Sequence, residues 1–148
     1  MRILLLMAVM LLTANAATAQ DGKECFSEIT KYNVCEKARD IQHKVAPSFP
    51  MKMNANITLS MVSVAGPRVI VTALWNIKKS DLDASLMGGG MSLADLDQRM
   101  SQSTHNSVCS EAAMAPFIRR GGQVQYLYKT EDGYIVLAPV VTDCQNSN

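Results

Sequence analysis

Four cysteines, Cys25, Cys35, Cys109 and Cys144, constrain the folding of this 148-residue chain more than any other feature. An even number of cysteines in a small exported domain implies disulfides, and four of them can be joined in three ways. Cys25 and Cys35 would stand about 15 Å apart on a continuous helix at 1.5 Å per residue, beyond the Cα separation of a disulfide. If they pair, a helix through them must break near Ser27 to Asn33. Cys109 and Cys144 bound the last third of the chain. A helix end carrying Cys109 runs through Ser110-Glu111-Ala112 to Pro116 and a Gly121-Gly122 stop, and two alternating strands return to Cys144. Closing that loop of about 35 residues would staple helix to sheet and contribute roughly 3 to 4 kcal/mol on the chain-entropy account.

Export is read from the N-terminus. Arg2, an apolar run from Ile3 to Leu12 and the small residues Ala17-Thr18-Ala19 form the pattern of a secretory signal cleaved before Gln20. The run of about ten residues is half of what a membrane-spanning helix needs, and no later segment qualifies. Residues 1–19 are therefore expected to be a signal peptide and 20–148 a single domain, periplasmic or secreted, with no membrane span. A domain of that size holds one core and is small enough for disulfides to matter. No cysteine follows Ala19, so no lipid anchor is expected. Charge is balanced: 14 Lys and Arg stand against 13 Asp and Glu, 13 against 13 once Arg2 is removed. Without a basic stripe the chain offers phosphates no electrostatic footprint, which excludes nucleic acid as a partner.

The mature chain alternates helix and strand signals. Asp21 to Val45 reads as mostly helical, with Val34, Ala38, Ile41 and Val45 on one apolar stripe and Pro47 and Pro50 beyond it. Asn56 to Trp75 reads as a hairpin turning at Gly66-Pro67, apolar on both faces, which suggests cover by helices on one face and partial cover on the other. Ser80 and Ser92 each precede acidic residues and read as helix N-caps, with Gly88-Gly89-Gly90 as a hinge or loop between the helices. The second helix runs from Leu93 to Cys109. Val124, Tyr126 and Tyr128 alternate in a strand, Glu131-Asp132-Gly133 turns, and Tyr134 to Val141 returns with Pro139 at an edge or bulge. The fold class is α+β: a mainly antiparallel four-stranded sheet in the order helix, two strands, helices, two strands, with helices packed on one face.

No catalytic constellation accompanies this pattern. Nucleophile-elbow, zinc-protease and phosphate-cradling motifs are absent, and Ser, His and Asp are scattered, so the chain reads as a non-enzyme without a cofactor. His105 and Cys109 share a helical face but supply two metal ligands where zinc needs three or four, so no metal site is assigned. Met51-Lys52-Met53 and Met87 to Met91 resemble spaced thioethers suited to Cu(I), which leaves a copper or small-ligand carrier as an alternative. Methionine more often forms an adaptable contact surface. Met87, Gly88, Gly89, Gly90 and Met91 are accordingly the candidate partner-binding residues, the partner being another envelope or secreted protein.

A helix ending near Pro47, a double strand around Gly66, a helix leading to Cys109-Ser110-Glu111, then Phe117-Ile118, Gly121-Gly122, Tyr126 and a closing Thr142-Asp143-Cys144 together resemble the small periplasmic α/β pilotins of type II secretion, the AspS type. Exported proteins described as quorum-sensing-regulated virulence factors share much the same outline. The resemblance covers nearly the whole mature chain. It implies a Cys109–Cys144 disulfide, which leaves Cys25 to pair with Cys35, and a protein-binding role. In pilotins that role is to hold a terminal segment of the secretin and deliver it to the outer membrane. Pilotins of this family are lipoproteins, and Ala19-Gln20 departs from them, so delivery by a lipid anchor does not carry over. An inhibitor or immunity protein of the periplasm would be built on the same protein-binding premise.

Overall fold

The computed structural model describes residues 24–26 and 31–144; the expected signal peptide and its cleavage site lie outside the described residues, as do Ser27 to Thr30. Helix α1 spans Val34–Val45, so the expectation of helix over most of Asp21–Val45 is corrected. The cause is covalent. Cys25 and Cys35 are joined with their Cα atoms 5.1 Å apart, a separation no continuous helix between them allows. The chain reverses instead, Val34 N–H donating to Cys25 O at 2.8 Å while Phe26 and Asn33 form a bridge. Asn33 then caps the helix, its side-chain oxygen accepting from Glu36 N–H at 3.0 Å. Val34, Ala38 and Ile41 are buried, as their spacing requires.

After a short 3-10 turn at Ala46–Ser48, strand β1 (Met51–Lys52) pairs with β2 (Ile57–Ala65), and β2 pairs with β3 (Arg68–Trp75), both antiparallel. The β2–β3 turn sits at Gly66, whose φ of 58° is the left-handed region that glycine occupies without strain. Helices α2 (Lys79–Gly88), α3 (Leu93–Ser110) and α4 (Met114–Arg119) follow. They carry the chain back so that β4 (Gln123–Thr130) lies parallel to β3, in register from Arg68 opposite Gln123 to Trp75 opposite Thr130. A parallel pair needs such a crossover. The last expected strand is divided: β5 (Ile135–Leu137) and β6 (Val140–Val141) both pair antiparallel with β4, and Ala138-Pro139 separates them. The sheet of the α+β fold is thus mixed and six-stranded, with one parallel pair at its centre and antiparallel pairs around it.

One face of this sheet meets the helices. Val62, Val69, Val71, Ala73, Val124, Tyr128, Leu137 and Val141 join Ala38 and Ile41 of α1, Val108 of α3 and Phe117 and Ile118 of α4 in a single buried cluster. Tyr128 Oη and Thr104 Oγ1 of α3 share a hydrogen bond of 3.0 Å inside it, and the Tyr128 ring lies 5.8 Å from that of Trp75. Burial raises the Tyr126 and Tyr128 hydroxyls above their ordinary pKa. Cys109 at the end of α3 is joined to Cys144 beyond β6, with Cα atoms 5.4 Å apart. Helix is stapled to sheet.

Two local expectations change. Ser80 lies inside α2 and does not cap it; the N-cap position is Lys78, and the Lys79 N–H is satisfied by Asp132 Oδ1 at 3.1 Å, from the turn after β4. The Gly88–Gly90 segment is a helix C-cap, not a free hinge. Met91 N–H donates to Leu86 O and Gly90 N–H to Met87 O, with Gly90 at φ 65°, the paired bonds of a Schellman cap. Ser92 behaves as expected: its side chain accepts from Asp95 N–H while Asp95 accepts from Ser92 N–H, a capping box.

Candidate functional site

The capping box at Ser92 fixes the direction in which α3 leaves the Schellman cap, and thereby one wall of a groove. Ala94, Asp97 and Ser101 recur at i, i+3 and i+7 on one side of α3, with Leu93 beside them at the helix start. The opposite wall is the segment Val136-Leu137-Ala138-Pro139, where Pro139 interrupts the strand pairing between β5 and β6. Together they border an open recess of about 530 Å³. That volume lies within the range of small ligand clefts, roughly 300 to 1,000 Å³. Its lining is apolar apart from Asp97 and Ser101, whose side chains approach each other at 3.4 Å. Leu93 is 47% exposed at the groove, and Met87, six residues earlier at the end of α2, is 77% exposed.

Such a recess offers apolar side chains from two elements, with Asp97 and Ser101 as its polar groups. Among the described residues no three or more His, Cys, Asp or Glu side chains gather at a metal-binding distance. His105 Nε2 lies 3.7 Å from Cys109 Sγ and 3.5 Å from Asp143 Oδ1, but Cys109 is committed to its disulfide and is not a thiolate ligand. The two methionine groups are not brought together. Met51 lies in β1 and Met53 follows it at one edge of the sheet, and Met87 and Met91 lead into Leu93, beside β5 and β6 at the other. A larger recess of about 700 Å³ is lined by Asp95, Arg99, Gln102 and Asn106, polar residues of α3 alone, and has no convergent chemistry.

A polar cluster that sequence reading did not single out ties α2 to the β4–β5 turn. Thr130, fully buried, donates through Oγ1 to Asp132 and accepts there from Tyr134 N–H at 3.1 Å. The Thr130 hydroxyl bond, supported by Lys79 N–H, holds the Asp132 carboxyl below its ordinary pKa. Lys79 Nζ pairs with Asp83 and sits 4.9 Å from the Tyr134 ring centroid. Nothing in the local sequence announces this, because Lys79 and Asp132 are 53 residues apart. Among the described residues no helix is long and apolar enough to cross a membrane.

No protein-family model matches the chain, and no curated protein sequence matches it. Solved structures do. A Pseudomonas aeruginosa protein classed as secreted is similar over 76% of this chain and 93% of its own, with a TM-score of 0.60 at 15% identity. EpsS, the pilotin of the Vibrio vulnificus type 2 secretion system, is similar over 77% of this chain and 94% of its own, with a TM-score of 0.59 at 13% identity. AspS, the type II secretion pilotin of Vibrio cholerae, is similar over 74% and 88%, with a TM-score of 0.54 at 12% identity. At these identities the likeness is one of fold, and the fold of this chain is similar to that of the type II secretion pilotins.

Proposed function

We propose that this protein is a non-enzymatic, exported binding module of the bacterial cell envelope, an accessory of secretion or assembly similar in its working to a pilotin. It holds a short segment of another envelope or secreted protein in the groove between α3 and the β5–β6 segment, with Met87 and Met91 as adaptable contacts at the helix junction. The observation that carries this reading is the groove itself: mainly apolar walls from two elements, with Leu93 exposed in it and Met87 exposed six residues earlier in the chain. Two disulfides in so small a chain belong to an oxidising compartment, and the pilotin-like fold agrees. The occupant by analogy is a terminal segment of a secretin-like protein. Removal of residues 1–19 would deliver the domain without a membrane span.

Mature protein beginning at Gln20 should capture such a partner from envelope extract, and Met87→Gln with Met91→Gln should weaken the captured complex about tenfold. The circular dichroism spectrum and melting point of the double variant should stay unchanged, since Met87 is exposed, Met91 is half-exposed and neither belongs to the buried cluster. Destabilisation with retained binding would make these methionines packing residues and refute the reading.

A further inference from the structure

The face of the sheet turned away from the helices carries its own pattern. Side by side across β2, β3 and β4 stand Met61, Thr72 and Leu127, flanked along β3 by Ile70 and Leu74. Met61 is 53% and Leu74 37% exposed. An exposed apolar surface of this kind on a sheet is a contact surface more often than an accident. The charged residues that the strands place on this face are Lys52, Arg68 and Lys129, all cations. Among the described residues the ion pairs are Lys79–Asp83 and His105–Asp143, so none of the three is paired. Two acids, Glu24 and Glu131, share recesses with Arg68 and Lys52 at the two ends of the sheet without reaching ion-pair distance.

We propose that this open face docks one amphipathic helix of an exported partner, with carboxylates at both ends of its apolar stripe. The dimensions fit a single helix. Three strands at about 4.8 Å spacing make a strip roughly 10 Å wide, the diameter of a helix with its side chains. Arg68 and Lys129 lie six pairing rows apart, or roughly 20 Å at 3.3 Å per residue, which is about 13 residues of helix at 1.5 Å each. Arg68 is held in place for a carboxylate: its Nε donates to Gln123 Oε1 at 2.8 Å and its Nη1 to Gln125 Oε1 at 3.4 Å, and the remaining donors of the fork point to no partner acid. A second copy of this chain fits poorly, because a two-fold contact of identical faces sets cation against cation. An anionic membrane fits poorly too, since three cations supply only about 3 kcal/mol at such a surface and the apolar side chains lie on a broad sheet without an inserting edge. The surface lies on the opposite side of the sheet from the helices, and its occupancy does not depend on the groove reading.

Two synthetic 16-residue helical peptides with the same leucine stripe, one with glutamate at positions 2 and 15 and one with lysine there, serve as probes for the protein of residues 20–148. The glutamate peptide should bind, shifting amide resonances of Met61, Ile70 and Leu127, and the lysine peptide should bind at least tenfold more weakly. Lys129→Glu should lower the affinity for the glutamate peptide tenfold or more with an unchanged melting point, and Met87→Gln with Met91→Gln should leave it unaltered. Equal binding of both peptides, no binding of either, or indifference to Lys129→Glu overturns the proposal. So does a dimer in sedimentation that Met61→Glu dissociates, or adsorption to phosphatidylglycerol vesicles that Lys129→Glu abolishes, since these assign the face to a second copy or to lipid.

Discussion

The two disulfides differ in what they enclose, and that difference sets an order of stabilities. Cys109–Cys144 closes 35 residues and Cys25–Cys35 closes 10. On the chain-entropy account the longer loop contributes about 3.8 kcal/mol and the shorter about 2.7 kcal/mol, a gap of roughly 1.1 kcal/mol. Replacing cysteines with alanine would blur this gap, because Cys25, Cys35 and Cys144 are buried while Cys109 is only partly so. Truncating the shorter pair removes two buried sulfurs and the longer pair one, and each costs about 1 kcal/mol, comparable to a buried methylene. The two effects nearly cancel. The clean measurement keeps the sulfurs and removes only the bond: Cys25→Ala with Cys35→Ala leaves the long loop, Cys109→Ala with Cys144→Ala leaves the short one, and each is unfolded in urea with and without reductant. Reduction should lower stability by about 3.8 kcal/mol in the first background and about 2.7 kcal/mol in the second. A larger loss for the shorter loop would refute the entropic reasoning and locate the stabilisation in native contacts around Cys25 and Cys35.

Three further outcomes follow from named contacts. Gly122→Ala places a Cβ on the ring of Phe117, which is 1% exposed and has no room to yield, so it should cost about 1 to 3 kcal/mol in urea unfolding, with wild-type stability refuting the contact. Ser92→Ala removes the acceptor of the α3 capping box and should cost about 1 kcal/mol, read as a shift of the urea midpoint, whereas Ser80→Ala should cost less because Ser80 caps nothing. Asp132 has its folded pKa lowered, first by the Thr130 hydroxyl, so its contribution is present above the unfolded carboxyl value near pH 4 and lost as pH falls through the lower folded value. Asp132→Asn should remove that part of the acid-side loss of stability, and an unchanged pH profile would show that the turn is not held by the charge.

What was legible in the sequence was whatever depends on near neighbours. The stripe Val34, Ala38, Ile41 and Val45 and the alternation of Val69, Val71 and Ala73 each name their buried face without help from the rest of the chain, and all are buried except Val45, which is partly so. The Ser92 capping box spans three residues and was readable for the same reason. The start of α2 was not, because its N-terminal donor is satisfied by Asp132 from a turn 53 residues later. The parallel pairing of β3 with β4 was hidden likewise: alternation says which way side chains point but not which strand lies alongside. Strands β2 and β3 are apolar on both faces, so partial cover of the second face is expected, and there Thr72 is buried and Ile70 and Leu127 are half-buried while Met61 and Leu74 stand open. The groove was not legible: Met87 and Met91, the side chains the sequence points to, precede its first lining residue, Leu93, and its facing wall, Val136 to Pro139, comes from a segment whose place beside α3 follows only from the crossover.

That wall explains why the longer disulfide matters beyond stability. One side of the groove is the first two turns of α3 and the other is the β5–β6 segment, and Cys109–Cys144 joins the far end of α3 to the residues just after β6. The bond therefore limits how far the two walls can slide past each other, while Cys25–Cys35 ties only the entry to α1, which lines neither. Loss of a constraint on one wall raises the entropy that binding must remove, so affinity falls even where the fold survives. At a temperature where both variants remain folded, Cys109→Ala with Cys144→Ala should weaken partner binding in the groove by several-fold more than Cys25→Ala with Cys35→Ala. Amide exchange should show the reason, with protection lost in Val136 to Val141 for the first pair and in Val34 to Ala38 for the second. Equal loss of binding in both variants, scaling only with their stability, would mean that the disulfide supports the fold and does not hold the groove.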